Sequence, residues 1–410
     1  MIEKYYDGAI EQVAAGLGTV EKNYLLVRYS GQFSVENLND TKQLEKNEDI
    51  FVQVHEFETG EITCAYEPYL TMICDGFRRY MTGTFEEFME TCDVYYLHRP
   101  VLLGYFNQDN TGREEIILLD EVAYEQERML AALERMLCAI ADRHPVLFVL
   151  NRFQLASKST MQLTARFLKC ENCNIGLVLG VSDIQAMPEF LVPDWEMLYE
   201  TLDDGSKIYH IGNSGRKKEE TIDDEKYVDY GSEKVYRKLQ NMVEFLDFDQ
   251  AAYYLETIER KIKFDNLLVD DAARFRMWLL FVKVSILRQD IPKALEICED
   301  LEKIHLAGKE EECAYEQDYL IATAYMYQGK LKEALEMAGE TYRIAGKMSD
   351  DYRMFLSELL EAKIQMSGWY NIFFCAQDVK IKESLIQNLI RYNYRNHLAH
   401  VYIYAYDNKP

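Results

Sequence analysis

The segment that follows the apolar run NYLLVR (23–28) is the candidate for a phosphate-binding loop. Such a loop needs glycines that let backbone N–H groups approach the phosphates, a lysine for charge, and a serine or threonine for the metal. Residues 28–36, RYSGQFSVE, supply Gly31 and Ser34 but no lysine, and Glu36 adds negative charge. The segment is therefore predicted to connect a strand to a helix without binding phosphate.

The carboxylate pair Asp120 and Glu121 follows four apolar residues, Ile116–Leu119. Two carboxylates in this position could hold Mg²⁺ and activate a water molecule. The flanking residues 113–115 and 124–127 are strong helix formers, so the run is interpreted as a packed element with a solvated acidic end. An active site built on Asp120 and Glu121 is the alternative.

The remaining candidate motifs are weak. Cys170 and Cys173 form a CxxC pair with no second pair at zinc-ligand spacing. His397 and His400 could share a helix face, but no carboxylate or third histidine lies near them, and they are interpreted as solvated polar groups. The sequence contains no nucleophile elbow and no metalloprotease motif, which excludes the common hydrolase classes as its function.

Strand-like runs alternate with helical patterns in the first half of the chain. The predicted strands are residues 23–28, 50–55, 146–150, 174–180 and 207–212. Apolar residues from Met129 to Ile140 recur at helical spacing just before the third of these strands. Alternation of this kind predicts an α/β domain with a mostly parallel sheet up to about Gly215. Ligands of such sheets bind at the carboxyl ends of the strands.

Residues 144–168, HPVLFVLNRFQLASKSTMQLTARFL, combine an apolar run, a polar turn and an amphipathic helix. This segment resembles the second phosphate-site strand of the STAND-type AAA ATPases, the signal-transduction ATPases with numerous domains. The resemblance implies a P-loop-NTPase-like domain whose strand ends in two acidic residues, one of which holds Mg²⁺. Asn151 and Arg152 occupy these positions here. An amide binds Mg²⁺ weakly and a guanidinium repels it, so the metal site is expected to be lost.

The resemblance covers most of the first 215 residues. AYEPYL at 65–70 is similar to the family's Tyr-x-Pro entry to a helix, and Gly180–Ser182 stands where a sensor residue would follow the next strand. Ser34 and Val35 fall near the positions of the loop lysine and its hydroxyl neighbour. The resemblance thus implies the fold without the activity, with no catalytic residue, cofactor or metal. The degenerate nucleotide-site positions are Gly31, Ser34, Asn151 and Arg152.

Composition narrows the class of protein. The chain has 410 residues, of which 48% are apolar and 28% charged, so it can form at least two cores and is not disordered. A formal charge of -25 disfavours a nucleic-acid surface. No membrane segment or leader is apparent, and the nine cysteines are scattered like reduced cytosolic thiols. A cytoplasmic protein that binds neither nucleic acid nor membrane is expected.

The second half of the chain repeats. QDIPKALE at 289–296 and GKLKEALE at 329–336 are 40 residues apart. The pattern resembles divergent tetratricopeptide repeats, in which pairs of helices stack into a solenoid. Gly329 is predicted to cap a helix in the left-handed conformation, and Pro292 suits the first turn of a helix. The positions predicted to carry repeat packing are Ala251, Ala294, Gly329, Ala334 and Gly368.

The predicted architecture is therefore α/β and then all-α. A degenerate STAND-like domain (1–215), a charged linker (216–233) and tetratricopeptide-like repeats (234–410) follow one another. This organisation predicts a non-catalytic sensory or scaffolding module of a bacterial signalling protein, which binds a protein or peptide through its repeats. The alternatives are an NTP-binding switch with unusual ligands around Ser34 and Asp120, and a peptide-pheromone receptor that uses only the repeats.

The repeat period also leads to an expectation about the C-terminal end. Residues 396–407, NHLAHVYIYAYD, are predicted to be the first helix of a further pair, with Leu398 and Tyr402 on its apolar face. The natural polypeptide is therefore expected to continue beyond Pro410. An uncapped pair would self-associate through this face.

Overall fold

The computed structural model describes residues 2–19, 23–29, 49–58, 61–109, 121–170, 174–182, 187–202, 208–211, 229–265, 267–367, 383–395, 397–399 and 401. These residues form two compact units. The first contains the described residues up to 109, those from 123 to 229, and 241–250. The second contains residues 121–122, 230–240 and those from 251 onward.

Five strands form the sheet of the first unit, and all its pairings are parallel. They are β1 (Asn23–Tyr29), β2 (Phe51–Glu56), β3 (Val146–Asn151), β4 (Ile175–Ser182) and β5 (Ile208–Ile211). Their order across the sheet is β2-β3-β4-β1-β5. The five predicted strands and their parallel arrangement are confirmed.

The apolar runs of β3 and β4 are explained by their position inside the sheet. Every residue of both strands is buried, as expected where both faces of a parallel sheet are covered. Helix α1 (Ile2–Gly16) contributes Ile10 and Val13 to a core cluster that includes Leu147 and Val178. Gly176 permits this close approach, because a Cβ there would lie 2.8 Å from a methyl of Val13.

Six further helices of this part of the chain surround the sheet or extend from it. They are α2 (Tyr69–Tyr80), α3 (Phe85–Thr91), α4 (Arg99–Asn107), α5 (Val122–Ala141), α6 (Lys158–Lys169) and α7 (Val192–Leu202). The periodic residues of α5 that were identified from the sequence, among them Met129, Leu133 and Ile140, are buried. The helical prediction before β3 is therefore confirmed.

All the secondary-structure elements described from residue 233 onward are helices, joined by turns and short loops. Its helices are α8 (Glu233–Glu244), α9 (Phe248–Phe264), α10 (Asp271–Leu287), α11 (Ile291–Leu301), α12 (Glu310–Gln328), α13 (Leu331–Met348), α14 (Asp351–Met366) and α15 (Glu383–Arg391). From α10 to α14 each helix contacts the next one, and α12 also contacts both α10 and α14. Successive helical hairpins therefore pack side by side, and the prediction of a mostly helical second half is confirmed for the described residues.

Left-handed residues recur in the turns between paired helices. Gly329 ends α12 with a φ of 81°, as predicted for a helix cap. Leu246 and Gln289 adopt φ values of 65° and 63° in the turns before α9 and α11. Residues other than glycine seldom adopt the left-handed backbone conformation. Of these three turns, only the one at Gly329 could therefore be predicted from residue type.

The three alanines predicted to carry repeat packing lie inside the helical core, whereas Gly329 is exposed at its helix cap. Ala251, Ala294 and Ala334 have no exposed surface. Ala334 packs with Ala322 in a cluster that joins α12, α13 and α14. Pro292 lies in the first turn of α11, where its missing N–H removes no hydrogen bond. Gly368 lies outside the described residues.

Residues 397–399 and 401 are helical, in agreement with the predicted C-terminal helix. Val401 is buried and Leu398 partly buried in a cluster with Phe355 and Leu385. The prediction that His397 is solvated is wrong: it is 2% exposed, because its ring packs on Tyr394 and its Nε2 lies 3.4 Å from Nζ of Lys363. His400, Tyr402 and Asn408 lie outside the described residues.

The change from the first unit to the second falls inside the segment 216–233 that was predicted to be a linker. It lies between residues 229 and 230, and residues 241–250 return to the first unit. The return has a physical cause, because the Phe245 ring meets Tyr66 and Tyr105, and Asp247 accepts a hydrogen bond from Ser159. None of the helices in the described ranges is both long and apolar enough to cross a bilayer.

Candidate functional site at the carboxyl edge of the sheet

The carboxyl ends of β1, β3 and β4 form the place where a ligand of this sheet would bind. After β1 the chain crosses to β2 at one edge of the sheet, while β4 is followed by β5 on the other side of β1. A crevice opens outside the strand ends where the connections diverge in this way. In the register of the sheet, Tyr29 pairs with Ser182, and Glu56 pairs with Asn151. These four residues therefore surround the candidate site.

Tyr29 and Asn151 fill the centre of this edge. The Tyr29 hydroxyl donates a hydrogen bond of 2.7 Å to Oδ1 of Asn151. Both side chains are buried. Burial raises the pKa of Tyr29 to about 12, so the hydroxyl stays protonated and remains a donor at neutral pH. The bond joins the ends of β1 and β3 across β4.

Arg152 follows β3 and contributes a positively charged guanidinium to the site. Its backbone is left-handed, with φ 53° and ψ 42°, at the turn into the short 3₁₀ helix Phe153–Leu155. Its Nε lies 3.4 Å from Oε1 of Glu56, at the end of β2. The guanidinium is therefore paired with the carboxylate of Glu56, and two groups of opposite charge meet where β2 and β3 end.

Gln154 closes the edge beside β4. Its Nε2 donates to the carbonyl oxygen of Ser182 at 3.1 Å, and its Oε1 accepts from the Ser182 backbone N–H at 3.3 Å. Both residues are buried. This reciprocal pair uses both polar ends of the amide, and it fixes the turn after β3 against the last residue of β4.

The amino terminus of α6 follows this turn and is capped from within the protein. Ser157 accepts from the Thr160 N–H, and Asp247 accepts from the Ser159 N–H at 3.0 Å. The other oxygen of Asp247 accepts from the Gln250 N–H at 3.4 Å, at the start of α9. A helix amino terminus attracts anions, and here a carboxylate of the same chain occupies that place.

Lys158 is the cation that pairs with the carboxyl groups near Asp247. Burial raises the pKa of Asp247, and the nearby Asp249 raises it further. Lys158 pairs with Asp249, and its Nζ lies 3.9 Å from Asp194. Burial alone would lower the pKa of Lys158, but these carboxylates outweigh it and the pKa is raised. The lysine therefore stays charged and forms part of an internal ionic network.

The structure brings some of the predicted positions together. Asn151 and Arg152 lie at the end of β3, where the resemblance had placed them. Gly31, Ser34 and Asp120 lie outside the described residues. Glu121 is half-buried, directly precedes α5, and follows no described strand.

Four residues of the site were not identified from the sequence: Tyr29, Glu56, Gln154 and Asp247. Ser182 ends β4 and belongs to the segment Gly180–Ser182 that the resemblance had singled out. Tyr29 and Glu56 could have been found, because each ends a strand-like run and parallel strands end at one edge. Asp247 could not, because 88 residues separate it from its partner Ser159.

The described residues offer limited chemistry at this edge. Of the described residues, no group of three or more histidine, cysteine, aspartate or glutamate side chains could hold a metal ion. The polar groups of Tyr29, Asn151, Gln154 and Ser182 bond to one another, and Arg152 is paired with Glu56. This arrangement stabilises the edge of the sheet and offers no described nucleophile with an adjacent base.

No family model matches the chain. No curated protein and no solved structure matches it either.

Proposed function

We propose that this chain is a non-catalytic binding module of a bacterial signalling protein. In this proposal the first unit is a degenerate STAND-like, P-loop-NTPase-like domain, and the tetratricopeptide-like helices bind a protein or peptide partner in the cytoplasm. The observation that carries the non-catalytic part is the Tyr29–Asn151 bond with the adjacent Arg152–Glu56 pair. Together they occupy the place where Mg²⁺ and a nucleotide would need carboxylates and free donors.

Electrostatics supports the absence of catalysis. Phosphoryl transfer depends almost wholly on positioned cations and on Mg²⁺ held by oxygen ligands. At the end of β3 the chain has an amide and a guanidinium instead. The amino terminus of α6, the helix that follows the turn after β3, is capped by Asp247. A triphosphate at this edge would therefore have to displace internal hydrogen bonds.

The arrangement of the helices supports partner binding. Helical hairpins that pack side by side form extended surfaces, on which such proteins bind peptides or other domains. The described part of the second unit also carries several large apolar side chains that are exposed to solvent. They are Phe264, Leu268, Tyr342, Tyr352 and Ile390.

The non-catalytic part is tested by melting the intact chain with millimolar ATP or GTP and Mg²⁺. A ligand at about 100 times its dissociation constant stabilises a fold by about 2.7 kcal/mol, which is readily visible as a shift in Tm. We expect no shift and no phosphate release. A shift that Asp120→Ala abolishes would favour the NTP-binding alternative.

The partner-binding part is tested by capture from the native host with two sets of surface variants. The first set replaces Phe264, Leu268 and Tyr342 by serine, and the matched set replaces the exposed Tyr124 and Met197 of the first unit. We expect the first set to lose a specific partner and the matched set to retain it. Equal capture by both sets, with both folded, would contradict partner binding through the helices.

A further inference from the structure

Two cysteine thiols of the first unit lie next to each other although they are far apart in sequence. Sγ of Cys138, on α5, is 3.7 Å from Sγ of Cys170, which caps the end of α6. Both residues are half-buried, so neither thiol is sealed in the core. By contrast, Cys64, Cys74, Cys92 and Cys298 are buried. Cys173, the neighbour of Cys170 in the CxxC pair, lies outside the described residues.

We propose that Cys138 and Cys170 are a site of oxidative modification, at which hydrogen peroxide forms a reversible disulfide. A disulfide needs the two sulfur atoms at about 2 Å. The thiols already touch, so side-chain rotation and a small displacement of the helix ends are sufficient. The pair, and not the CxxC motif, is then the redox-active element of this region.

The reaction balances with one molecule of peroxide. Sγ of Cys170 attacks one peroxide oxygen, which gives a sulfenic acid and, once the leaving hydroxide is protonated, one water. Sγ of Cys138 then attacks the Cys170 sulfur, and its proton leaves with the displaced hydroxyl as a second water. Two thiols and one H₂O₂ thus give one disulfide and two waters, and a thiol reductant reverses the change.

The surroundings assign the first attack to Cys170. Burial raises the pKa of the Cys138 thiol, and Cys170, Glu134 and Asp142 raise it further. Cys138 is therefore protonated at neutral pH and is a poor first nucleophile, since the thiolate is the reactive form. It is well placed as the resolving thiol, because it already contacts the sulfur that would be oxidised.

The disulfide would stabilise the segment that contains two residues of the candidate site. The loop that it closes runs from α5 through β3 to the end of α6, so it contains Asn151 and Arg152. A cross-link between the ends of such a loop restricts the unfolded chain and stabilises the folded one. Oxidation would therefore make this part of the sheet more resistant to opening, whether or not the proposed partner-binding function is correct.

The test uses the full chain, reduced and then treated with equimolar peroxide. Free thiols are blocked by alkylation, and non-reduced peptides are mapped by mass spectrometry. The variants are Cys138→Ser and Cys170→Ser, with Cys173→Ser as the matched control. We expect a 138–170 linkage and a mass loss of about 2 Da in the parent and in Cys173→Ser. In Cys138→Ser, a dimedone-trapped sulfenic acid is expected on Cys170.

A second measurement does not depend on the mapping. The oxidised parent should melt about 5–10 °C above the reduced parent, and dithiothreitol should abolish the difference. Three results would overturn the proposal. They are a 170–173 linkage in place of 138–170, oxidation of Cys170 while Cys138 stays alkylatable, and no oxidation of either cysteine by excess peroxide.

Discussion

At the residue scale, the hydrogen bond from Tyr29 to Asn151 is the most direct feature of the candidate site to test. Tyr29→Phe removes one hydroxyl and leaves the amide oxygen of a buried Asn151 without this donor. Loss of such a bond costs about 1–2 kcal/mol. Urea unfolding should show this loss for the first unit.

The matched control is Tyr124→Phe, because Tyr124 is 60% exposed. An exposed change of this kind is expected to stay within about 0.5 kcal/mol. If Tyr29→Phe and Tyr124→Phe unfold alike, the bond does not hold the ends of β1 and β3 together.

A second residue-scale prediction concerns Asp318, on α12. Burial raises the pKa of this carboxyl to about 6, and the nearby Glu340 and Glu302 add to the rise. A carboxyl whose pKa is higher in the folded state holds its proton more tightly there. Its contribution therefore favours folding at low pH, and this advantage is lost as the pH rises from about 4 to about 6.

Asp318→Asn removes the unfavourable charge. The variant is expected to be more stable than the parent at pH 7, by on the order of 1–2 kcal/mol, with no gain near pH 3.5. Denaturant unfolding at several pH values measures the difference, and the exposed Asp265→Asn serves as the control. A gain that is equal at both pH values would mean that the effect is not electrostatic.

At the element scale, the packing of α1 on the sheet depends on the absence of a side chain in β4. A Cβ at Gly176 would lie 2.8 Å from a Val13 methyl and 3.1 Å from a Leu147 methyl. Neither branched side chain can move away freely in a buried cluster. We expect Gly176→Ala to destabilise the first unit by about 1–3 kcal/mol.

Gly8 on α1 supplies a control of opposite sign. It is exposed in a helix, with no atom within 4 Å of the position of an added Cβ. Gly8→Ala should therefore stabilise the helix by about 0.5–1 kcal/mol. Thermal melts of the two variants should move in opposite directions. A Tm for Gly176→Ala at or above that of the parent would show that α1 is not tightly packed.

The elements also show where sequence reasoning succeeds and where it ends. Apolar runs identified all five strands, and the signal is clearest for β3 and β4, because strands buried on both faces lack polar residues. The position of Asn151 and Arg152 at a strand end followed from the same pattern. Tyr29 and Glu56 also end strand-like runs, but which of these residues pair with each other depends on strand order, which no local pattern encodes. The left-handed turn at Gln289 also has no signal in its residue type.

At the scale of the whole molecule, the two compact units imply that damage to one core need not spread to the other. Ala334 has no exposed surface and packs against Ala322, where α12 and α13 meet. Arginine at this position would clash and would bury an unpaired charge. We therefore expect Ala334→Arg to unfold the helices around it while the parallel sheet stays folded.

Hydrogen exchange with mass spectrometry distinguishes the two units in a single sample. Peptides from α12, α13 and α14 should lose protection in Ala334→Arg, whereas peptides from β1, β3 and β4 should keep it. Glu336→Arg is the matched control, since Glu336 is exposed on the same helix and accepts a charge change without a clash. If α12 and α13 of Ala334→Arg keep the protection of the parent, the two helices do not pack against each other at Ala334. Loss of protection in β3 would show instead that the two cores unfold as one, because a cooperative unit loses protection throughout.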